Sequence, residues 1–215
     1  MNNSGERKIL LFGATGKTGE QICRELSSRK MKLSVFVREE SVNKLTDSGM
    51  RIIHGNVLNY KEVEAAIKGD AYTDVIISLG SKMLKGTELR SKGTEHIMRA
   101  LESSQAKSKI HVISALGVGD SWKQLSGFGK LISNLLLRNV LEDHRKQEEI
   151  VMNSPNPYHI LRPVGLKDGD STGEVQVQSE GRLPSTTIMR SDVAKFLVNS
   201  MIENRNGVSA ICQKK

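Results

Sequence analysis

The chain has 215 residues with a formal net charge of +8, and only 4% of its residues are aromatic. One domain with its own core is expected at this length, built from Ile, Leu, Val and Ala, which suits a parallel sheet covered by helices. No apolar run reaches the roughly 18 residues that cross a bilayer, the lead-in Met1 to Lys8 lacks the apolar stretch of a signal peptide, and Lys and Arg are scattered without a basic arm or interleaved aromatics, so no membrane and no nucleic acid is expected as partner.

Taken in chain order, Lys8 to Phe12 is a continuous apolar run ending at Gly13, the pattern of a buried strand. Residues 17 to 29 follow as a helix with Ile22, Cys23 and Leu26 on one face. Leu33 to Val37 and Arg51 to His54 read as the second and third strands. Asn59-Tyr-Lys-Glu62 has the form of a capping box, opening a helix that turns Val63, Ala66 and Ile67 inward. Asp74 to Leu79 is a fourth strand, ending at Gly80. Residues 87 to 102 form a helix with Ile97, Met98 and Leu101 inward, and Lys109 to Ser114 a fifth strand. Residues 143 to 153 are helical, and Tyr158 to Arg162 is a sixth strand stopped by Pro163. Val208 to Ile211 offers a short last strand.

This alternation predicts an α/β fold with a doubly wound parallel sheet of Rossmann type, occupying residues 1–215 as a single domain. Two segments break the rhythm: residues 115–142, Gly-rich and then amphipathic from Phe128 to Leu141, and residues 164–187, polar and irregular. Both follow strand C-termini, where open α/β sheets bind ligands, and both are expected to cover the substrate.

The turn Gly13-Ala14-Thr15-Gly16-Lys17-Thr18-Gly19 joins the first strand to the first helix. Glycine serves a sharp turn there, close backbone approach to a pyrophosphate and tight helix–sheet packing, while the helix N-terminus offers free N–H groups to phosphates. Gly16-Lys17-Thr18 invites comparison with a P-loop, but the position that would need the leading glycine is Leu11, inside the strand. A dinucleotide fold that prefers NAD places an acid at the end of the second strand. Here Arg38 stands there, about twenty residues past the last glycine, where its guanidinium can take a 2′-phosphate bidentately. NADPH is therefore the expected cofactor, although the neighbouring Glu39 or Glu40 could serve an NAD ribose.

The glycine turn with Val37-Arg38, Gly55-Asn56-Val57-Leu58, Ser114-Ala115, Asp143-His144, Tyr158 to Pro163, Thr172-Gly173 and Asp192 resembles the NmrA-like atypical short-chain dehydrogenase/reductases, within them the biliverdin-IXβ reductase or flavin reductase group. The resemblance implies an NAD(P)H-dependent reductase of planar redox acceptors such as flavins and linear tetrapyrroles, and a hydride transferred to a flavin, tetrapyrrole or quinone is the expected reaction. It implies that Arg38 holds the 2′-phosphate and that Asn56 and Val57 flank adenine. Leu79 and Gly80 would line the ribose and pyrophosphate, with Lys82 as a basic residue nearby. Ser114 would sit beside the nicotinamide, Pro163 at its carboxamide edge, and His144 would face the site. Ser114 and His144 are the candidate catalytic residues.

Two departures stand out. The Tyr-x-x-x-Lys pair of classical short-chain dehydrogenases is missing, with Val140 where the tyrosine would precede His144. Val164 takes the place of a second site histidine. A non-catalytic NADP(H) sensor that contacts a protein partner through residues 115–142 is the alternative. The histidines show no ligand spacing, and no metal is expected. The two cysteines, Cys23 and Cys212, form no CxxC pair, which fits a reducing, cytoplasmic setting.

Overall fold

The computed structural model describes residues 7–45, 49–80, 88–125, 137–178 and 181–214. Lys82 and residues 126–136 lie outside them, and with these the inner part of the 115–142 segment.

Strand β1 (Lys8–Phe12) is buried on both faces, which is why it reads as an unbroken apolar run. Ile9 and Leu11 enter one core layer, and Leu10 and Phe12 the other. Strands β2 (Lys32–Val37), β3 (Arg51–His54), β4 (Asp74–Ile77), β5 (Lys109–Ile113) and β6 (Tyr158–Pro163) join it in parallel. Strand β7 (Gly165–Lys167) pairs with β9 (Thr187–Met189) in a separate two-stranded sheet. Strands β8 (Val175–Gln178) and β10 (Gly207–Gln213) complete the main sheet, whose order is β3-β2-β1-β4-β5-β6-β10-β8. The sheet is parallel as expected except at its edge, where β8 runs antiparallel to β10.

Helices α1 (Lys17–Ser28) and α5 (Arg190–Ile202) cover one face. The other carries α2 (Tyr60–Lys68), α3 (Leu89–Ser103) and α4 (Arg138–Met152). The inward residues read from the sequence on α1, α2 and α3 are buried. Helix α4 begins earlier than the expected residue 143, so the end of the amphipathic stretch already belongs to it.

The capping box differs in detail. Asn59 accepts from the Lys61 N–H at 3.2 Å, but Glu62 takes the N–H of Asn56, at 2.7 Å, and the Asn59 side-chain amide, also at 2.7 Å. The acid thereby fixes the loop after β3 as well as the helix start. Because the parallel strands all end at one edge, the turns after β1 to β6 converge there. The order reverses between β1 and β4, the crevice where open sheets bind ligands.

Candidate functional site

Two glycines shape the turn after β1 for opposite reasons. Gly13 has φ +94°, and a Cβ there would lie 2.3 Å from the Ser78 carbonyl oxygen at the end of β4. That position is closed to any side chain. Gly16 has φ −81° and ψ 155°, which any residue can adopt, and a Cβ there would meet only the Gly13 oxygen, at 3.4 Å. Its surface is open, as close approach by a ligand requires. Gly19 packs so tightly that a Cβ would come within 2.1 Å of the Gly13 oxygen, which holds α1 against the turn.

The first helical bond of α1 runs from the Glu20 N–H to the Gly16 oxygen at 2.8 Å, and Gly16 supplies no side-chain cap. The N–H groups of Lys17, Thr18 and Gly19 therefore have no acceptor within the helix and point with its positive end toward the crevice. Open space at Gly16, free donors and a positive helix end together fit the pyrophosphate of a dinucleotide. Lys17 reaches across to Asp168 after β7, Nζ to Oδ2 2.5 Å, and Arg190 holds the other oxygen of that carboxylate at 2.5 Å.

After β2, Arg38 is exposed, 3.1 Å from Glu40. Glu39 pairs with His54 at 2.5 Å. Both acids that could have served a ribose thus have cationic or imidazole partners, and the guanidinium stands at the strand end. After β3, Asn56 is exposed and its side-chain oxygen accepts the Leu58 N–H at 3.0 Å. Val57 is buried, with its carbonyl 2.9 Å from His96 Nδ1. A Cβ on Gly93 of α3 would lie 2.7 Å from Leu79 and 3.0 Å from Val57. The missing side chain lets α3 close down on these two residues, so the ends of β3 and β4 share an apolar floor beside the exposed Gly80. Neither Gly93 nor His96 was singled out from the sequence, and a glycine inside a helical pattern was the available signal.

Ser114 follows β5 and is buried. Its hydroxyl donates to Glu148 of α4 at 2.5 Å. Arg162 of β6 grips the same carboxylate, with Nε 3.0 Å from Oε1 and Nη2 2.7 Å from Oε2, and its Nη1 reaches the exposed Asp120 at 2.5 Å. Pro163 ends β6, buried, and accepts from the Leu116 N–H at 2.9 Å. Val164, buried, enters the core layer under α1 and α5.

His144 is buried at the α3–α4 interface. Its Nδ1 lies 3.2 Å from Gln147, which in turn bonds Thr94 of α3. Burial, and then the nearby Arg90 charge, push its pKa down to about 3. His144 is therefore a neutral imidazole at physiological pH. The adjacent Asp143 accepts from the N–H of Ser91 at 2.9 Å and of Arg90 at 3.1 Å, capping α3 from a neighbouring helix.

Among the described residues no group of three or more His, Cys, Asp or Glu is placed to hold a metal ion, and no helix is long and apolar enough to cross a membrane.

The chain is 25% identical over 212 residues to an uncharacterized chloroplastic protein of Arabidopsis thaliana, covering 95% of this chain and 75% of that one. Its fold matches ChuY, an anaerobilin reductase of Escherichia coli O157:H7, with TM-score 0.79, 24% identity, and coverage of 97% of this chain and 98% of that one. A short-chain dehydrogenase/reductase of Veillonella parvula, solved in complex with NADP, matches with TM-score 0.79 and 15% identity over 96% of this chain and 94% of that one. A family model described as NAD(P)H-binding matches residues 13–204, from the first glycine of the turn to just past the end of α5, and the chain belongs to that family.

Proposed function

We propose that the protein is an NADPH-dependent reductase of a planar acceptor, such as a flavin, a linear tetrapyrrole or a quinone. The observation that carries the cofactor choice is Arg38, exposed at the end of β2 where an acid would select NAD. Bound NADPH would supply a hydride, which the acceptor would take together with one proton from water, with NADP⁺ as the other product. The protein's part is placement. The turn at Gly13–Gly19 binds the pyrophosphate through its free N–H groups, and Val57 and Leu79 provide the apolar floor beside it. Ser114 and Pro163 meet the nicotinamide. Residues 115–142 and 164–187 cover the acceptor and exclude water, and Lys82 adds a basic group beyond Gly80. His144, held neutral, is no strong acid, so for a flavin acceptor the proton comes from solvent.

The fold shared with an anaerobilin reductase supports a tetrapyrrole among the acceptors. The absence of a Tyr-x-x-x-Lys pair, with Val140 in place of the tyrosine, favours a second reading, a sensor that binds NADP(H) and reports to a protein partner. Steady-state NADPH oxidation with flavin mononucleotide, biliverdin and a soluble quinone separates the two. Reduction of at least one acceptor is expected. Tight NADPH binding with no turnover on all three would favour the sensor.

A further inference from the structure

The Ser114–Glu148–Arg162 cluster has no role in the reading above beyond the placement of Ser114. Glu148 is 3% exposed and comes from α4, not from the strand ends that build the rest of the site. All its described side-chain hydrogen bonds are received from donors: the Ser114 hydroxyl and the Arg162 guanidinium. A carboxylate so placed is an acceptor only. The Ser114 proton is committed to it, and what Ser114 presents on its other side is oxygen lone pairs.

Ser114 Oγ and Arg162 Nε meet the same Glu148 oxygen, Oε1, so the carboxylate is the charged group bonded directly to Ser114, while the guanidinium is held by Glu148 and by Asp120, whose side chain is 85% exposed. Arg162 cannot pass a proton, so this is no relay from solvent. The cluster is fixed and buried, and the charge in direct contact with Ser114 is negative, the sense in which a site favours positive charge developing beside it.

We infer that Glu148 is a positioning residue that makes Ser114 a hydrogen-bond acceptor and biases the nicotinamide pocket toward the oxidised, positively charged form of the cofactor. This rests on the reading that Ser114 borders the nicotinamide. The Glu148–Arg162 pair would then set the relative affinity for NADP⁺ and NADPH, a property that a purely structural ion pair does not control.

The test is calorimetric titration of wild type, Glu148→Gln, and the double variant Glu148→Gln with Arg162→Gln, each with NADP⁺ and with NADPH. Glu148→Gln should weaken NADP⁺ about tenfold, the order expected of one unit charge acting across roughly 10 Å at a protein-like dielectric. NADPH affinity should change less than about twofold. The double variant leaves no buried charge unpaired, so it carries the test if the single variant fails to fold, and it should lower NADP⁺ affinity selectively by a smaller factor. Equal weakening of both nucleotides in a folded variant, or no change in either, would overturn the inference. Wild-type protein that bound neither nucleotide would overturn the cofactor site itself, and the role of Glu148 with it.

Discussion

At the scale of single residues, the two glycines of the turn make separable predictions. Gly16 has an extended backbone and open space, so Gly16→Val should fold, with a thermal midpoint within a few degrees of wild type, and should lose nucleotide affinity at least about tenfold because the side chain fills the approach to the helix start. Gly13 combines positive φ with a backbone oxygen 2.3 Å from the missing Cβ. Gly13→Ala should therefore cost stability itself, about 2–4 kcal/mol, as read by denaturant unfolding. A Gly16→Val protein that bound normally would remove the pyrophosphate from this turn. The glycine spacing was legible in the sequence because a sharp strand-to-helix turn with close backbone approach needs such a run. The division of labour between the two glycines was not, since it depends on how close β4 passes.

The catalytic candidates read differently. Ser114 was legible as a strand-end residue. Its partners Glu148 and Arg162 were not, because they lie on a helix and a strand that meet only in three dimensions. The one sign was an arginine inside the apolar run Tyr158 to Pro163.

At the scale of elements, strands β1, β2, β4, β5 and β6 were legible because burial on both faces produces largely apolar runs, whereas β3, an edge strand with most of its residues exposed, was legible only from its short Ile52-Ile53 pair. Helix α5 escaped notice. Val193, Ala194, Leu197, Val198 and Met201 are all buried there, together with Asp192 and Ser200, so the helix has little polar face to give it a helical period. Strand β8 escaped notice as well, since its residues are only half buried and its pairing depends on the distant β10. Asp192 explains in part how the segment after β7 keeps its place: its carboxylate accepts from Ser171 Oγ at 2.6 Å, Thr172 Oγ1 at 2.8 Å and the Gly173 N–H at 2.9 Å.

The start of α3 depends on an acid from α4. Asp143→Ala would strip the N–H groups of Arg90 and Ser91 of their acceptor and leave the buried Arg90 guanidinium without its carboxylate. The expected loss is about 2–4 kcal/mol in denaturant unfolding. Glu142→Ala, one residue away but exposed and paired with the exposed Arg145, should cost less than about 0.5 kcal/mol. Similar losses for the two variants would contradict the cap.

At the scale of the whole molecule, acid stability follows from buried histidines. His111 and His159 stand in register on β5 and β6, toward the strand ends opposite the ligand crevice. Each has a buried Nδ1 with no hydrogen-bond partner among the described residues. Burial lowers both pKa values, that of His159 to about 4 with the neighbouring His111 charge adding to it, and for His111 it outweighs the bond to Asp74. With His144 pushed down to about 3, the folded protein takes up protons less readily than the unfolded chain, whose histidines titrate near ~6.5. The stability these groups contribute is whole above that pH and is lost as pH falls toward 4. Asp74 acts lower still: its hydrogen bonds to His111, Thr73 and Arg7 together outweigh burial and hold its carboxyl below the usual range, so its share is lost only beneath pH ~4. The thermal midpoint should be level above pH 7 and fall steadily between pH 6.5 and 4. A midpoint that rose on acidification across that window would contradict the assignment.

The proposed NADPH site rests on the glycine turn and Arg38 together. Calorimetric titration of wild type and Arg38→Ala with NADPH and NADH tests it most directly. A charge-assisted contact to the 2′-phosphate is worth about 1.5–3 kcal/mol, so wild type should prefer NADPH by roughly 10- to 150-fold, and Arg38→Ala should lose most of that preference while its NADH affinity stays nearly unchanged. Equal affinity of the wild-type protein for the two nucleotides would contradict it.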